Sequence, residues 1–391
     1  MSEITVVGGG IAGLTAAIAC AEGGAKVRLL EAHEALGGRA RSADGPFKAN
    51  LGPHALYTSG PWWSWLSERD LLPAYARPPL GGARFRWRGA IRRNPPLGAI
   101  PSILRLRGRR APVEIDFRSW VQQHADEETA DMLSSIAGVY TFHHDPGELS
   151  AAFVWEHTVR LFLKAPPPAT VVRYVQGGWS NLTASLERRV RALGVEVETG
   201  HRATELPSGT VILAVELEQA RGLLGDDSLA GLSGRTVCLD IGVKRRRSDP
   251  WIVSDMDEAG WIGRYSAADR QIAPPGHELI QAQMPIRPQE TAEQAGARLE
   301  RFLDLSLEEW RARETWRRRQ VMDARSGALD LPGVTWRDRP AIDRGDGVFL
   351  VGDMVAAPGL LAEVSFASAV EAGRLALEAA DAGRPRLRNV A

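Results

Sequence analysis

Residues 4–41 constrain this chain more than any other stretch. Ile4 to Val7 is a short apolar run rich in β-branched side chains, the pattern of a strand buried on both faces. Gly8, Gly10 and Gly13 follow as G-x-G-x-x-G. Leu14–Ala21 is then Ala-rich and free of Pro, which suits a helix, and Gly23-Gly24 ends it. Val27–Leu30 is a second apolar strand closed by Glu31. Strand, glycine turn, helix and strand in this order form a βαβ unit carrying the dinucleotide fingerprint.

Each position has a physical reason. Gly8 lets the chain turn off the strand, Gly10 leaves room for a pyrophosphate, and Gly13 lets the helix pack close. The helix N-terminus offers unpaired N–H groups and the positive end of a dipole. Glu31 stands where an acid accepts hydrogen bonds from ribose hydroxyls, and its charge disfavours a 2′-phosphate, so NADP is not expected.

The fingerprint does not choose the dinucleotide; its extension does. Glu31-Ala-His-Glu-Ala-Leu-Gly-Gly-Arg-Ala-Arg-Ser42 resembles the E-x(5)-G-G-R-x-R-[ST] segment of the flavin amine oxidase, phytoene desaturase and protoporphyrinogen oxidase superfamily. The resemblance implies FAD, with Gly38 allowing another close backbone pass and Arg39 and Arg41 placing charge on the pyrophosphate. Phe47 to Tyr57 resembles the segment that brings the chain to the flavin ring. Gly52-Pro53 is a tight turn there, and His54 is the nearest titratable candidate, either catalytic or hydrogen-bonded in a loop. Near the C-terminus, Val348-Phe-Leu-Val-Gly-Asp-Met resembles the second flavin motif of the same superfamily. It implies that Gly352 and Asp353 meet the ribityl–phosphate region, and that a helix start near Ala362 and Glu363 turns its N–H groups to the flavin.

Composition sets outer bounds. At 391 residues the chain exceeds one compact core, so two domains are expected. Acids and bases balance at 48 each, which draws the chain to no nucleic acid. The basic residues are almost all Arg, which looks like a GC-rich bacterial coding bias. Cys20 and Cys238 form no disulfide framework and no metal spacing. The N-terminus shows no basic and apolar leader, and no stretch is long and apolar enough to span a bilayer, so a cytoplasmic location is expected. Twelve tryptophans, mostly outside the βαβ unit, suggest aromatic surface around a substrate space.

Along the chain, Gly60 to Leu66 starts a helix and Ala83 to Arg93 reads as a hairpin around Gly89. Residues 101–110 mix aliphatic side chains with Arg, as an amphipathic helix or as weak contact with a membrane surface. Phe117–His124 and Glu127–Val139 show helical spacing, and Glu148 begins another helix. His143-His144 lacks a third ligand at a useful spacing, so no metal is expected. Pro166-Pro-Pro reads as a linker. Val175 to Leu186 resembles the G-G-x-x-x-L helix start of the superfamily, with Ser180 or Asn181 as cap. Gly194 to Leu206 reads as strand, turn, strand, and Ala203 takes the place of the residue whose backbone meets adenine in that superfamily. Thr236–Val243 is a strand, Ala292–Leu305 a helix, and the block to Arg325 charged and exposed.

These readings imply an α/β protein: a discontinuous Rossmann-type FAD-binding domain (1–80, 170–232 and 335–391) and an α+β substrate domain (81–169 and 233–334). Tyr57, Tyr140, Trp179, Trp261 and Tyr265 are the candidate substrate pocket. No second G-x-G-x-x-G follows a strand, so electrons would pass from FAD to oxygen, a quinone or a carrier protein. Flavin amine oxidases commonly carry a Lys early in a substrate-domain strand, but Thr236 to Val243 has none and Lys244 stands at its far end. The expectation is desaturase-like removal of hydride from a small apolar substrate. The alternatives are amine oxidation, a redox-neutral isomerisation or cyclisation, and a non-catalytic FAD-holding partner. A monomer or a homodimer fits equally.

Overall fold

Two large sheets, one wholly parallel and one mostly antiparallel, and a small three-stranded antiparallel one organise the computed structural model, which describes residues 3–164 and 170–382. The expected Pro166-Pro-Pro linker lies outside the described residues.

Strand β1 (Glu3–Val7) is the centre of the five-stranded parallel sheet. Helix α1 (Ile11–Glu22) leads from it to β2 (Lys26–Leu30), which pairs with it in register Val6 to Leu29. On the other side β1 meets Thr210–Leu213, and beyond that lies Val348–Leu350; Glu196–Glu198 flanks β2. Ile4, Val6 and Val7 are buried, as a two-sided parallel strand requires. The C-terminal helix Ala362–Ala382 packs along α1. A Cβ on Gly373 would stand 2.9 Å from Ala19 Cβ, so small residues set this close helix approach.

The second sheet has seven strands in the order 314–322, 236–244, 277–285, 261–264, 252–255, 83–87 and 90–92. Its pairings are antiparallel except that of Ile252–Asp255 with Ala83–Trp87. The early hairpin thereby joins a sheet made mainly from later sequence. Val237, Leu239 and Ile241 pack against the helix Ala292–Ser306, which Thr291 and Gln294 close with a capping box. A helical layer of Phe117–Gln122, Glu127–Thr141 and Ala151–Thr158 completes the molecule, with Trp120 and Trp155 rings 5.3 Å apart at its core.

Several local expectations are corrected. The charged block before Arg325 is a nine-residue strand, Glu314–Met322, on the edge of the second sheet. Its half-buried residues alternate with exposed ones, and the Arg side chains hid that period. Arg318 turns in to Asp240 at 2.6 Å and Arg317 turns out to Glu300 and Glu314. After Gly200 no second strand forms; His201 N–H bonds instead to the Glu31 carbonyl at 2.8 Å. Trp179, not Ser180 or Asn181, is the N-cap of helix Ser180–Ala192. The Ser180 hydroxyl is taken by the Ser42 N–H at 2.8 Å, and the Asn181 amide donates to the Gln176 carbonyl. The helix expected from Glu148 starts at Ala151, because Pro146–Glu148 closes a 3-10 turn first.

Candidate active site

Between the two large sheets lies one cavity of about 900 Å³. It begins at the turn after β1. Gly8 has φ +104°, and a Cβ there would stand 2.3 Å from the Ala214 carbonyl oxygen. A Cβ on Gly13 would stand 1.8 Å from the Gly8 carbonyl oxygen, so Gly13 serves packing and does not line the cavity. Gly10 differs: its Cβ position has nothing within 4 Å and faces the cavity. No side chain caps α1, so the N–H groups of its first turn have no intrahelical partner beside Gly10, Ile11 and Ala12 on the cavity wall.

Glu31 is buried at the end of β2. One carboxylate oxygen accepts the Gly9 N–H at 2.7 Å, and the other accepts the His33 N–H at 2.8 Å and lies 2.7 Å from His33 Nδ1. The acid therefore holds the glycine turn in shape as well as facing the cavity. Gly38, with φ +50°, brings its backbone against Gly10. Arg39 reaches across to Asp353, making two 2.8 Å bonds to its carboxylate and a 2.6 Å bond to the Arg325 carbonyl. Arg41 lines the same wall with no carboxylate partner among the described residues.

His54 follows the Gly52-Pro53 turn. Its Nε2 is 3.0 Å from the Arg39 carbonyl and its ring lies 4.6 Å from that of Trp179. Burial, with the Arg39 charge, lowers its pKa to about 4 against the opposing pull of the carbonyl bond, so the ring is neutral near pH 7. His54 is thus hydrogen-bonded in a loop on the cavity wall.

Gly8, Gly10, Glu31, Gly38, Arg39, Gly52, Pro53, His54, Ala203, Gly352, Asp353, Ala362 and Glu363 all stand on this one cavity, and so do Tyr57, Tyr140, Trp179, Trp261 and Tyr265. Gly13 is the only site candidate from the sequence that does not line it. Its far end is aromatic: Tyr265 stacks edge-on with Tyr174 at 5.1 Å and with Trp261 at 5.9 Å. The Tyr140 hydroxyl is already held by the Val154 carbonyl and Thr158, each at 2.9 Å. Glu363 sits at the start of the C-terminal helix. It accepts the Leu360 N–H at 3.2 Å and pairs with Arg160 at 2.5 Å. Arg160 lies over the Tyr57 ring at 5.8 Å.

Sequence reasoning missed Arg160 and Trp62. The indole N–H groups of Trp62 and Trp179, both buried on the cavity wall, have no acceptor among the described residues. Helical spacing in Gly60-Pro-Trp-Trp-Ser-Trp could not say which of Trp62, Trp63 and Trp65 faces inward. The broad aromatic expectation is also corrected: of the twelve tryptophans, only Trp62, Trp179, Trp251 and Trp261 line the cavity. The others mainly fill cores or surface stacks, as Trp310 does beneath Arg311.

The donor set suits a flavin dinucleotide. Open space at Gly10, an uncapped helix start and the unpaired Arg41 suit phosphates, and the unsatisfied indole N–H groups suit carbonyl or hydroxyl acceptors.

The NAD(P)-binding Rossmann-like domain family matches residues 6–69. A carotenoid 3,4-desaturase of Haloarcula japonica is 55% identical over 53 residues, which span 13% of this chain and 10% of the desaturase. Over nearly the whole chain the fold is that of an oxidoreductase from Methanosarcina mazei, at TM-score 0.77 and 16% identity, covering 94% of this chain and 99% of that one. A cyclohexylamine oxidase from Brevibacterium oxydans has TM-score 0.67 and 14% identity, covering 96% and 99%. A reduced UDP-galactopyranose mutase has TM-score 0.69 and 14% identity, covering 97% and 96%. The chain thus carries a Rossmann-type domain within the fold that these three proteins share. At these identities the likeness establishes fold, not substrate. Among the described residues no helix is long and apolar enough to cross a membrane.

Proposed function

We propose that this chain is an FAD-dependent oxidoreductase that removes hydride from a small apolar molecule, with C–C dehydrogenation favoured over C–N oxidation. The observation that carries it is the single cavity joining a phosphate-shaped glycine turn to an aromatic chamber. FAD, when bound, supplies the two-electron acceptor. Arg41 and the start of α1 hold the phosphates, and Glu31 receives ribose hydroxyls. The aromatic walls orient the substrate and exclude water. Leu80 is 83% exposed and Phe162 45% exposed, yet both line the cavity, so its mouth suits an apolar substrate. The substrate loses a hydride and a proton, and the two electrons then pass to oxygen, a quinone or a carrier protein.

C–C chemistry is favoured because the strand Thr236–Lys244 presents Thr236 and Cys238 to the cavity, where the resemblance places a Lys in amine oxidases. Lys244 is exposed at the strand's other end. The test is a visible spectrum of the purified protein followed by anaerobic addition of apolar polyenes and amines. Stoichiometric bleaching by a polyene supports dehydrogenation, and bleaching by an amine shifts the reading to amine oxidation. Turnover without bleaching makes the protein a redox-neutral isomerase, and bound flavin that no compound perturbs makes it a non-catalytic holder.

A further inference from the structure

We propose that His143, His144 and Glu148 form an open site for one borderline divalent transition-metal ion such as Zn²⁺ or Co²⁺. Their ligand atoms lie within 4.8 Å of one another, outside the cavity described above. The adjacent histidines alone supply two donors; the third comes from the 3-10 turn Pro146–Glu148, which brings Glu148 back beside them.

The loop is held in shape for this. Phe142 ends the helix Glu127–Thr141 with φ +54° and turns the chain sharply, and the His143 N–H bonds to Thr141 Oγ1 at 3.4 Å. Arg118 grips the Asp145 carboxylate with two bonds of 2.9 Å, and Asp145 also accepts the Gly147 N–H. His143 Nδ1 lies 3.0 Å from the Asp145 carbonyl and 3.3 Å from the Asp145 N–H, and in the tautomer that donates to the carbonyl Nε2 carries the lone pair. A backbone carbonyl in that place orients an imidazole that ligates through its other nitrogen. Nε2 faces a Glu148 oxygen at 3.3 Å, a spacing that a proton on Nε2 or a bound cation would each satisfy. Donors around a tetrahedral ion with bonds of ~2.1 Å stand roughly 3.4 Å apart, so this pair is already spaced for one. The His144 ring is 4.5 Å from that of His143, and the half-exposed Glu148 has room to adjust.

An entry path exists. His144 lines a surface cleft of about 700 Å³ whose wall carries six carboxylates against three guanidinium groups, a field that gathers cations. Imidazole with carboxylate suits zinc, cobalt and nickel better than calcium or magnesium. A bound ion would tie the histidines directly to Phe142, which lines the active-site cavity.

The test is competition for Zn²⁺ against a chromophoric chelator, using the full-length flavin-loaded protein, with thermal melts in parallel. His144→Ala and Glu148→Gln are the variants, and Glu127→Gln, on the same cleft, is the control. The expected result is one equivalent bound by the parent and the control, with a Zn²⁺-dependent rise in Tm. Each ligand variant should lose more than the ~10-fold in affinity that removal of even an outer-shell partner costs. Undiminished binding in both ligand variants, or no binding by the parent, overturns the site.

Discussion

The guanidinium of Arg39 and the carboxylate of Asp353, 314 positions apart, face each other through two hydrogen bonds of 2.8 Å on the wall of the cavity. The Gly-Gly-Arg segment and the C-terminal Gly-Asp motif are thereby one structural unit. Asp353→Asn keeps the shape but removes the charge, leaving Arg39 without its ionic partner. We expect it to lower stability by about 1–3 kcal/mol and to yield protein with less bound flavin, read by denaturant titration and by the visible-to-ultraviolet absorbance ratio. Full stability and full flavin together would show that the pair joins nothing of consequence.

The glycines of the turn should separate binding from folding. A Cβ at position 10 meets nothing, whereas one at position 13 meets the Gly8 carbonyl oxygen. Gly10→Val should fold with the melting behaviour of the apoprotein and purify colourless. Gly13→Ala should lower Tm before any ligand is added. A yellow, fully loaded Gly10→Val protein would remove the phosphates from this turn.

Glu31→Ala removes the acceptor for the Gly9 N–H and both contacts of His33. Leaving a buried N–H unpaired costs about 1–3 kcal/mol. Both stability and FAD retention should therefore fall in this variant, measured by melting and by flavin release on dilution. Weaker retention at unchanged Tm would limit Glu31 to the ribose.

His157 gives a pH signature. Burial, then the charges of Arg160 and Arg339, lower its pKa to about 3 from 6.5. The unfolded chain takes up this proton below about pH 6.5 while the native one does not, so stability is lost as pH falls from there toward about 3. The slope for one such group approaches about 1.4 kcal/mol per pH unit. His157 packs edge-on against Phe153, so His157→Leu should keep the fold and flatten the acid limb of the stability curve. Equal slopes in parent and variant would place the uptake elsewhere.

Trp62→Phe and Trp179→Phe keep ring packing and remove an unsatisfied indole N–H. Apoprotein stability should hold or rise, because a buried donor without a partner is costly. Affinity for the bound ligand should drop by roughly 0.5–1.5 kcal/mol for each variant whose N–H reaches it. Calorimetry with added FAD, then with substrate, shows which of the two each N–H serves.

Much of this was legible because it is local. The turn of Gly8, the helix after it, the strand closed by Glu31 and the Ala83 to Arg93 hairpin are short-range patterns in which a few neighbouring residues decide the backbone. The strand Glu314–Met322 was not legible, because its Arg residues read as solvated surface until Asp240 and Glu300 supply their charges from other segments. The start of the helix after Trp179 was missed for a similar reason: Ser180 had a distant partner in Ser42.

From the order of residues alone came the βαβ unit, the two flavin-type motifs at opposite ends of the chain and a set of site candidates of which all but Gly13 stand on the cavity wall. Only the tertiary structure decided that Arg39 meets Asp353, that Trp62 rather than Trp63 turns inward, that Arg160 pairs with Glu363, and that Glu148 completes a cluster with His143 and His144. Backbone conformation follows from neighbours within a few positions. The pairing of charges and the facing of side chains depend on which distant segments pack together, and that packing is settled only when the whole core closes.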